Sequence, residues 1–193
     1  MNENLKREFL YQSITDIRTT IRAIDAKVGY ILVILFIPFT KLGVISSTLS
    51  TLFSSNRCMI LSLSFILAPF FVISWLLAIT SALKTILGIE NPKKYIDGNR
   101  PESTFFPSSL FEINALSALF PYFLKSTVQF DNHYNSLPND ETEICKQLTS
   151  EQMKTMFICR LKLARANLTY HSTIIWVVSG GAIWLLHFYS AHA

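Results

Sequence analysis

Residues 59–83 form a run of 25 without a charged side chain, and the nearest charged residues on its two sides are Arg57 and Lys84. As an α-helix this run would be roughly 38 Å long, which exceeds the hydrocarbon core of a bilayer, about 30 Å thick. Backbone N–H and C=O groups find no water in hydrocarbon, and a helix satisfies them within the segment itself. The run therefore predicts a membrane-spanning helix, and Pro69 inside it predicts a kink.

Two other apolar stretches predict further crossings. From residue 166 to the last residue there is no Asp, Glu, Lys or Arg, and the most apolar part is 174–188. Residues 28–40 are also uncharged, but they number only 13 before Lys41 interrupts them. Two interpretations of this stretch stay open. In one, a helix over about 26–45 crosses the bilayer and Lys41 reaches its outer face; in the other, the helix is re-entrant or interfacial.

The composition agrees with a membrane protein. Hydrophobic residues make up 50% of the chain and charged residues 16%, whereas a typical soluble domain is about a quarter charged. A disordered chain needs the opposite balance, so that class is excluded, and an ordinary soluble enzyme is disfavoured. The formal net charge of +4 is explained by Lys and Arg in cytoplasmic segments, without nucleic acid as a partner.

The placement of the positive charges predicts the topology. Lys and Arg together number five in residues 1–27, two in 41–58, ten in 84–165 and none in 166–193. Segments rich in Lys and Arg stay in the cytoplasm, so three crossings place the N-terminus in the cytoplasm and the C-terminus in the periplasm. The prediction is an all-α protein of the cell inner membrane with three transmembrane helices. Its parts are a cytoplasmic amphipathic helix over 1–27, two transmembrane helices within 28–83, a helical cytoplasmic region over 84–170 and a C-terminal transmembrane helix over 171–193.

Apolar side chains recur at helical spacing in two of the predicted cytoplasmic segments. The stripe predicted for the N-terminal helix is Leu5, Phe9, Ile14, Ile17, Ile21 and Ile24. The stripe predicted for the last cytoplasmic helix is Ile144, Leu148, Met156, Cys159, Leu163 and Ala166. Between these segments, helix breakers over 91–107 predict a loop, and a further helix is predicted to begin at Ser108 or Ser109.

The residue types that usually carry chemistry form no recognisable constellation. Cys58, Cys145 and Cys159 lack CxxC spacing, so they predict neither a zinc site nor a disulfide framework. The four histidines are scattered along the chain, and no nucleophile stands at a recognisable spacing from a base and an orienting group. The sequence predicts a protein that is not an enzyme and that holds no metal or cofactor.

Charged residues precede two of the predicted membrane segments, and they are the candidate ligand-binding residues: Arg22, Asp25 and Lys27 before the first, and Arg160, Lys162 and Arg165 before the last. Each group has two interpretations. The first group marks the bilayer edge or forms a ligand-sensing or gating contact. The second anchors the helix to anionic headgroups or binds an anion. Gly180 and Gly181 are candidates for close helix packing, because they have no side chain.

Two stretches resemble a known family. Residues 21–29, Ile-Arg-Ala-Ile-Asp-Ala-Lys-Val-Gly, resemble the Asp-x-Lys-(Ala/Val) start of the first membrane helix in membrane effectors of the pyrimidine cyclase antiphage system (Pycsar). Residues 147–149, Gln-Leu-Thr, followed by Ile158, Lys162, Leu163 and Ala166, are similar to the pattern before the last membrane helix of those effectors. The order of elements is also similar over residues 14–188, although Lys41 and the loop over 91–107 have no counterpart.

The resemblance implies a function. Such effectors are thought to respond to a cyclic nucleotide made during phage infection and then to impair the inner membrane. It therefore implies a cyclic mononucleotide as ligand, membrane lipid as a partner, a homo-oligomer as the working form, and no catalysis. Two alternatives stay open, a small multi-pass interaction protein such as an immunity or assembly factor, and a channel subunit.

Overall fold

The structure is a computed structural model that describes residues 3–54, 58–87, 137–138 and 140–192. Helices account for nearly all of these residues, and no strand occurs among them, which confirms the all-α prediction for the described part. The helices are α1 (Glu3–Phe36), a 3-10 turn (Ile37–Lys41), α2 (Leu42–Phe53), α3 (Cys58–Ile86) and α4 (Glu141–His192). The predicted loop over 91–107 and the predicted helix from Ser108 or Ser109 lie outside the described residues.

Three helical stretches are long and apolar enough to cross a membrane, namely Glu3–Phe53, Cys58–Ile86 and Glu141–Ser190. Of the most apolar window in each stretch, only 11%, 28% and 17% is buried within the chain. In a water-soluble protein, apolar helices of this length would bury such surface in a core. The stretches therefore fit a multi-pass membrane protein, and they coincide with the three apolar segments of the sequence.

The first apolar stretch is not one continuous α-helix. The α-helical conformation of α1 ends at Phe36, and Pro38 occupies the 3-10 turn that precedes α2. Proline has no N–H to donate and disfavours helical conformation in the residue before it. A single crossing helix over about 26–45 is thus replaced by a helix, a turn and a second helix, with Lys41 exposed at the end of the turn.

The chain forms two compact units. The first consists of Met1–Thr19 with Asn91–Ile158, and its described core contains Leu10, Ile14, Cys145 and Leu148. The second consists of Thr20–Glu90 with Cys159–Ala193. Its described core has two clusters, one around Leu35, Trp75, Ala78 and Ile79, the other around Leu52, Ile60 and Ile183.

The buried face of α4 differs from the predicted apolar stripe. Met156 is 44% exposed and Leu163 is 41% exposed, although Leu148, Cys159 and Ala166 are buried as predicted. Among the buried and partly buried residues of α4, seven recur at alternating spacings of three and four, the spacing of a coiled-coil seam. They are Leu148, Gln152, Thr155, Cys159, Lys162, Ala166 and Thr169.

The buried face of α1 also differs at its start. Leu5 is 60% exposed and Phe9 is 64% exposed, whereas Leu10 is buried. The buried positions Leu10, Ile14, Ile17, Ile24 and Val28, together with the partly buried Ile21, are spaced by three or four residues. Leu5 and Phe9 do not fall on this spacing, so they lie beside the seam and not in it.

Candidate functional site

An ion pair between Lys162 and Asp25 joins α4 to α1 within the second unit. The Lys162 Nζ atom lies 2.5 Å from Asp25 Oδ1. The Lys162 side chain is 8% exposed and the Asp25 side chain 34%, so the ammonium group is removed from water while the carboxylate keeps partial access. A buried ammonium is costly unless it is paired and hydrogen-bonded, and Asp25 supplies the opposite charge here.

The position of Lys162 follows from the packing of α4. It occupies the same seam as Cys159, Ala166 and Thr169, whose side chains are short. Short neighbours leave room for a long side chain to lie along the helix surface with its charged end displaced from the seam. Asp25 follows the buried Ile24 on α1, where its carboxylate reaches that end. A single polar group at a seam position specifies the register of two helices, because every other register leaves it unpaired.

Arg165, one turn further along α4, binds the end of another helix. Its Nη1 donates a hydrogen bond to the Lys84 carbonyl oxygen at 2.6 Å. The α3 helix ends at Ile86, so the Lys84 carbonyl is one of the last four, which have no partner within their helix. A cation is also favoured at a helix C-terminus by the helix dipole. Lys162 and Arg165 together connect α4 to α1 and to α3, and we call these two contacts the clamp.

The other predicted ligand-binding residues lie outside these contacts. Arg22, Lys27 and Arg160 are exposed, and none of them forms an ion pair with a described residue. Asp25 therefore pairs with Lys162 on α4 and not with Arg22 on its own helix. The structure brings Asp25 and Lys162 together and directs Arg165 to α3, while the three remaining cations face outward.

Sequence reasoning missed a polar contact between α3 and α4. The Ser81 and Thr169 hydroxyl groups lie 2.9 Å apart, and both residues are buried. Small residues allow helix backbones to approach closely in membranes, where hydroxyl pairs hold the helices together. The signal was present in α3, which carries small residues at helical spacing, all buried: Ser74, Ala78, Ser81, Ala82 and Thr85.

The two glycines of α4 occupy different surroundings. A Cβ atom added at Gly180 would lie 3.0 Å from Phe71 Cε2, so Gly180 lets α4 pack closely on the Phe71 ring of α3. A Cβ atom added at Gly181 would meet nothing within 4 Å. The close packing predicted for this pair therefore involves Gly180 within the chain, whereas Gly181 offers an open surface.

The first unit contains a polar group of its own that sequence reasoning also missed. Gln152 Nε2 donates a hydrogen bond to Ser13 Oγ at 2.7 Å, which links α4 to α1. The buried Glu151 pairs with Lys154 at 3.3 Å, and Arg18 approaches Glu151 at 4.0 Å. Glu151 and Lys154 are both buried, so their opposite charges compensate each other away from water.

No group of three or more His, Cys, Asp and Glu side chains that could hold a metal ion occurs in the part of the chain that the structure describes. The three cysteines are free thiols, with Cys58 exposed and Cys145 and Cys159 buried. Burial, followed by the nearby Glu3, raises the pKa of the Cys145 thiol. A raised pKa lowers the thiolate fraction of Cys145 at neutral pH.

Comparison of the chain with protein-family models, curated proteins and solved structures finds no match. The features from which a function can be inferred are therefore those of the chain itself. They are the three apolar helical stretches, the clamp formed by Lys162 and Arg165, and the outward-facing cations near it.

Proposed function

We propose that the protein is a membrane effector of a bacterial antiphage system, triggered by a cyclic mononucleotide to impair the integrity of the inner membrane. In this proposal the uncharged part of each of the three apolar stretches crosses the bilayer, with the N-terminus in the cytoplasm and the C-terminus in the periplasm. The charge distribution supports that orientation, because residues 166–193 contain no charged side chain and the segments before them are rich in Lys and Arg.

The observation that carries the proposal is the buried ion pair between Lys162 and Asp25. It lies just before the uncharged part of α4, which begins at residue 166. Removing one partner of a buried pair leaves an uncompensated charge, so the pair resists being broken unless another anion replaces the carboxylate. The phosphate of a cyclic mononucleotide is such an anion, and Asp25 is the group that it would displace.

The clamp connects the proposed ligand site to the apolar helices. Lys162 holds α1 and Arg165 holds the C-terminal end of α3, and the two residues are three positions apart on α4. Ammonium and guanidinium groups both bind phosphate oxygens, the guanidinium in a bidentate manner. A phosphate that engages both groups would release α1 and α3 from α4 together. A ligand that binds the released arrangement more tightly shifts the population toward it.

Damage in this mechanism is physical and requires no catalysis. Released helices rearrange in the bilayer, and a homo-oligomer of rearranged chains admits ions and small solutes. The exposed Arg22, Lys27 and Arg160 supply positive charge for an approaching anion without being consumed by internal ion pairs among the described residues. The proposed ligand-binding cations are therefore Arg22, Lys27, Arg160, Lys162 and Arg165, with Asp25 as the group that the phosphate displaces and with no further cofactor.

Reconstituted vesicles that contain a trapped dye test the proposal. The purified protein should release the dye on addition of one member of a panel of cyclic mononucleotides with different bases, and not on addition of the linear monophosphates. Lys162→Gln with Arg165→Gln should abolish release, because both phosphate-binding charges are lost while glutamine can still hydrogen-bond to Asp25. The matched control is Lys146→Gln, which removes an exposed charge elsewhere on α4. Dye release by the double variant at wild-type nucleotide concentrations would exclude the clamp as the ligand site.

A second candidate function is a membrane interaction protein, such as an immunity or assembly factor, or a channel subunit. The open surface at Gly181 favours it, because a glycine that no described residue approaches lets the backbone of another helix come close. Expression in growing cells separates the candidates. An interaction protein leaves membrane potential and dye exclusion unchanged with or without a cyclic nucleotide, whereas the effector collapses both when the nucleotide is present.

A further inference from the structure

The first apolar stretch carries one charged residue, Lys41, and that residue lies far from both ends of the stretch. Residues 28–53 form a run of 26 in which Lys41 is the fourteenth and no other residue is charged. At roughly 1.5 Å per residue the run is about 39 Å long, which is sufficient to cross a hydrocarbon core of about 30 Å. Its length therefore matches that of the uncharged run in α3, and Lys41 stands near its centre.

Contacts with α3 give Lys41 the same depth. The Phe39 and Trp75 ring centroids lie 4.7 Å apart, and Val44 and Phe71 line the same apolar cleft. Lys41 lies between Phe39 and Val44 in the chain. It is therefore level with the middle of α3, about 12 Å or more from either end of the uncharged run of that helix. The four-carbon stem of lysine does not span that distance, so the ammonium group reaches neither face of the bilayer in the proposed placement.

The charge of Lys41 is not compensated within the part of the chain that the structure describes. Lys41 is exposed, and its ammonium group forms neither an ion pair nor a hydrogen bond with a described residue. A charged side chain is costly in hydrocarbon, and charged residues at membrane depth almost always pair with another group or face a water-filled cavity. Lys41 therefore requires either a negative charge or water from outside the single chain.

A second copy of the chain offers no negative charge at this depth. Residues 28–83 and 166–193, which contain the uncharged parts of the three apolar stretches, include no Asp and no Glu. In a homo-oligomer the ammonium group is therefore solvated by water and dissolved anions, and not by a carboxylate of a neighbouring copy. Closed symmetry places the Lys41 residues of all copies at one depth, which makes a ring of positive charge.

Helix α2, which follows Lys41, has a polar face opposite its packed face. The buried and partly buried residues on its packed face are Ile45, Thr48, Leu49 and Leu52. The residues on the opposite face are all exposed, and they are Gly43, Ser46, Ser47, Ser50 and Thr51. The Ser47, Ser50 and Thr51 hydroxyl groups donate to carbonyl oxygens of α2 itself, so their oxygen atoms can still accept hydrogen bonds from water. Such a face is compatible with lipid and with water, and the charge of Lys41 favours water.

We propose that Lys41 and the polar face of α2 line a water-filled path through the homo-oligomer, and that this path conducts small inorganic anions such as chloride in preference to cations. The inference rests on the proposed function, since it requires the membrane placement and a leak formed by several copies. Rings of Lys or Arg side chains select anions in pores. The physical reason is that a positive potential raises the local concentration of anions and lowers that of cations.

Cysteine accessibility in reconstituted vesicles tests whether position 41 faces water. In a Cys58→Ser background the remaining native cysteines are buried. Lys41→Cys should then react with a charged, water-soluble thiosulfonate reagent in the presence of the panel of cyclic mononucleotides. The matched control is Ile73→Cys, because Ile73 is exposed at the same depth on α3 and should face lipid, where the reagent does not enter.

The two positions separate a failure of the anion path from a failure of the membrane placement. No reaction at either position would overturn the anion path alone, because position 41 would then lie in lipid or in a dry contact. Reaction of Ile73→Cys as fast as that of Lys41→Cys would show that this depth is not hydrocarbon, and would remove the membrane placement as well.

Ion selectivity in planar bilayers tests the role of the charge. Under a gradient of potassium chloride and with the same nucleotide panel, the reversal potential of the wild-type current should correspond to about a tenfold preference for chloride over potassium. Lys41→Gln should remove this preference and Lys41→Glu should reverse it. Lys146→Gln should keep it, because it makes the same change at an exposed lysine before the uncharged part of α4.

A wild-type current without anion preference would overturn the anion path, as would an unchanged preference in Lys41→Gln. In both cases the current itself would still support the proposed function. Absence of any current from the wild-type protein would remove the proposed function, and the anion path with it.

Discussion

The Trp75 indole N–H donates a hydrogen bond of 2.8 Å to the Leu35 carbonyl oxygen, 40 residues earlier in the chain. In a 3-10 turn this carbonyl would pair with the N–H of residue 38, but residue 38 is a proline. Both Leu35 and Trp75 are buried, so the carbonyl would otherwise lack a partner away from water. The α3 helix thus satisfies the group that the proline leaves unpaired, which is how membrane helices tolerate proline.

This relationship predicts a coupled pair of mutations. Trp75→Phe keeps an aromatic ring but removes the donor, and we expect it to lower the free energy of unfolding by about 1 kcal/mol or more. Pro38→Ala supplies an N–H next to the same carbonyl, so Trp75→Phe should cost less in that background. Thermal unfolding in detergent of the wild type, the two single variants and the double variant measures the coupling. Strictly additive effects would show that the indole does not compensate for the proline.

The ion pair predicts an asymmetry between its two partners. Asp25→Asn leaves the buried Lys162 ammonium unpaired, whereas Lys162→Met leaves only a partly exposed carboxylate. Because Asp25 is a third exposed, we expect a loss of about 1–3 kcal/mol for Asp25→Asn, below the range for fully buried pairs. Lys162→Met should lower the free energy of unfolding by less, and the double variant should recover most of the stability lost in Asp25→Asn. Equal destabilisation by the two single variants would contradict the observed difference in burial.

The ion pair also predicts how Asp25 affects the response to the nucleotide. In the proposed mechanism Asp25 competes with the nucleotide phosphate for Lys162, so Asp25→Asn should lower the nucleotide concentration needed for dye release. The comparison is made in reconstituted vesicles at matched protein content. A higher nucleotide requirement in Asp25→Asn would show that the carboxylate assists ligand binding and does not oppose it.

The glycines predict opposite outcomes for two neighbouring substitutions. Gly180→Leu forces a side chain into the Phe71 ring, so we expect a loss of about 1–3 kcal/mol from overpacking. Gly181→Leu meets no described neighbour and should unfold at the wild-type temperature while inserting normally. If oligomer formation uses the Gly181 surface, Gly181→Leu should nevertheless strongly reduce dye release. Wild-type leakage in that variant would remove Gly181 from the mechanism of damage.

The native cysteines predict a labelling pattern that tests the topology. A membrane-impermeant maleimide applied to cells with a permeabilised outer membrane should modify Cys58, which is exposed and lies in the predicted periplasmic loop. Cys58→Ser should abolish this labelling, and denaturation should expose Cys145 and Cys159, which are buried. Modification of Cys58 only after the inner membrane is opened would reverse the orientation.

Much of the helical organisation could be predicted from the sequence. Uncharged runs of sufficient length specify helices, because hydrocarbon leaves the backbone no other partners than its own. The three stretches that the structure offers as membrane-spanning helices are therefore the three that hydropathy finds. The break at Pro38 is also a local property, since it follows from the missing N–H and the fixed backbone angle of proline.

The faces of the helices and the partners of the charged residues were decided by the tertiary structure. Apolar side chains serve equally well against lipid and against another helix, so hydrophobicity does not reveal which face of α4 is buried. Small and polar residues of α4, including Lys162 and Thr169, are buried because they allow close approach to α1 and α3, whereas Met156 and Leu163 are exposed. For the same reason the sequence could mark Asp25 and Lys162 as unusual charges, but only the packing of α1 against α4 could pair them.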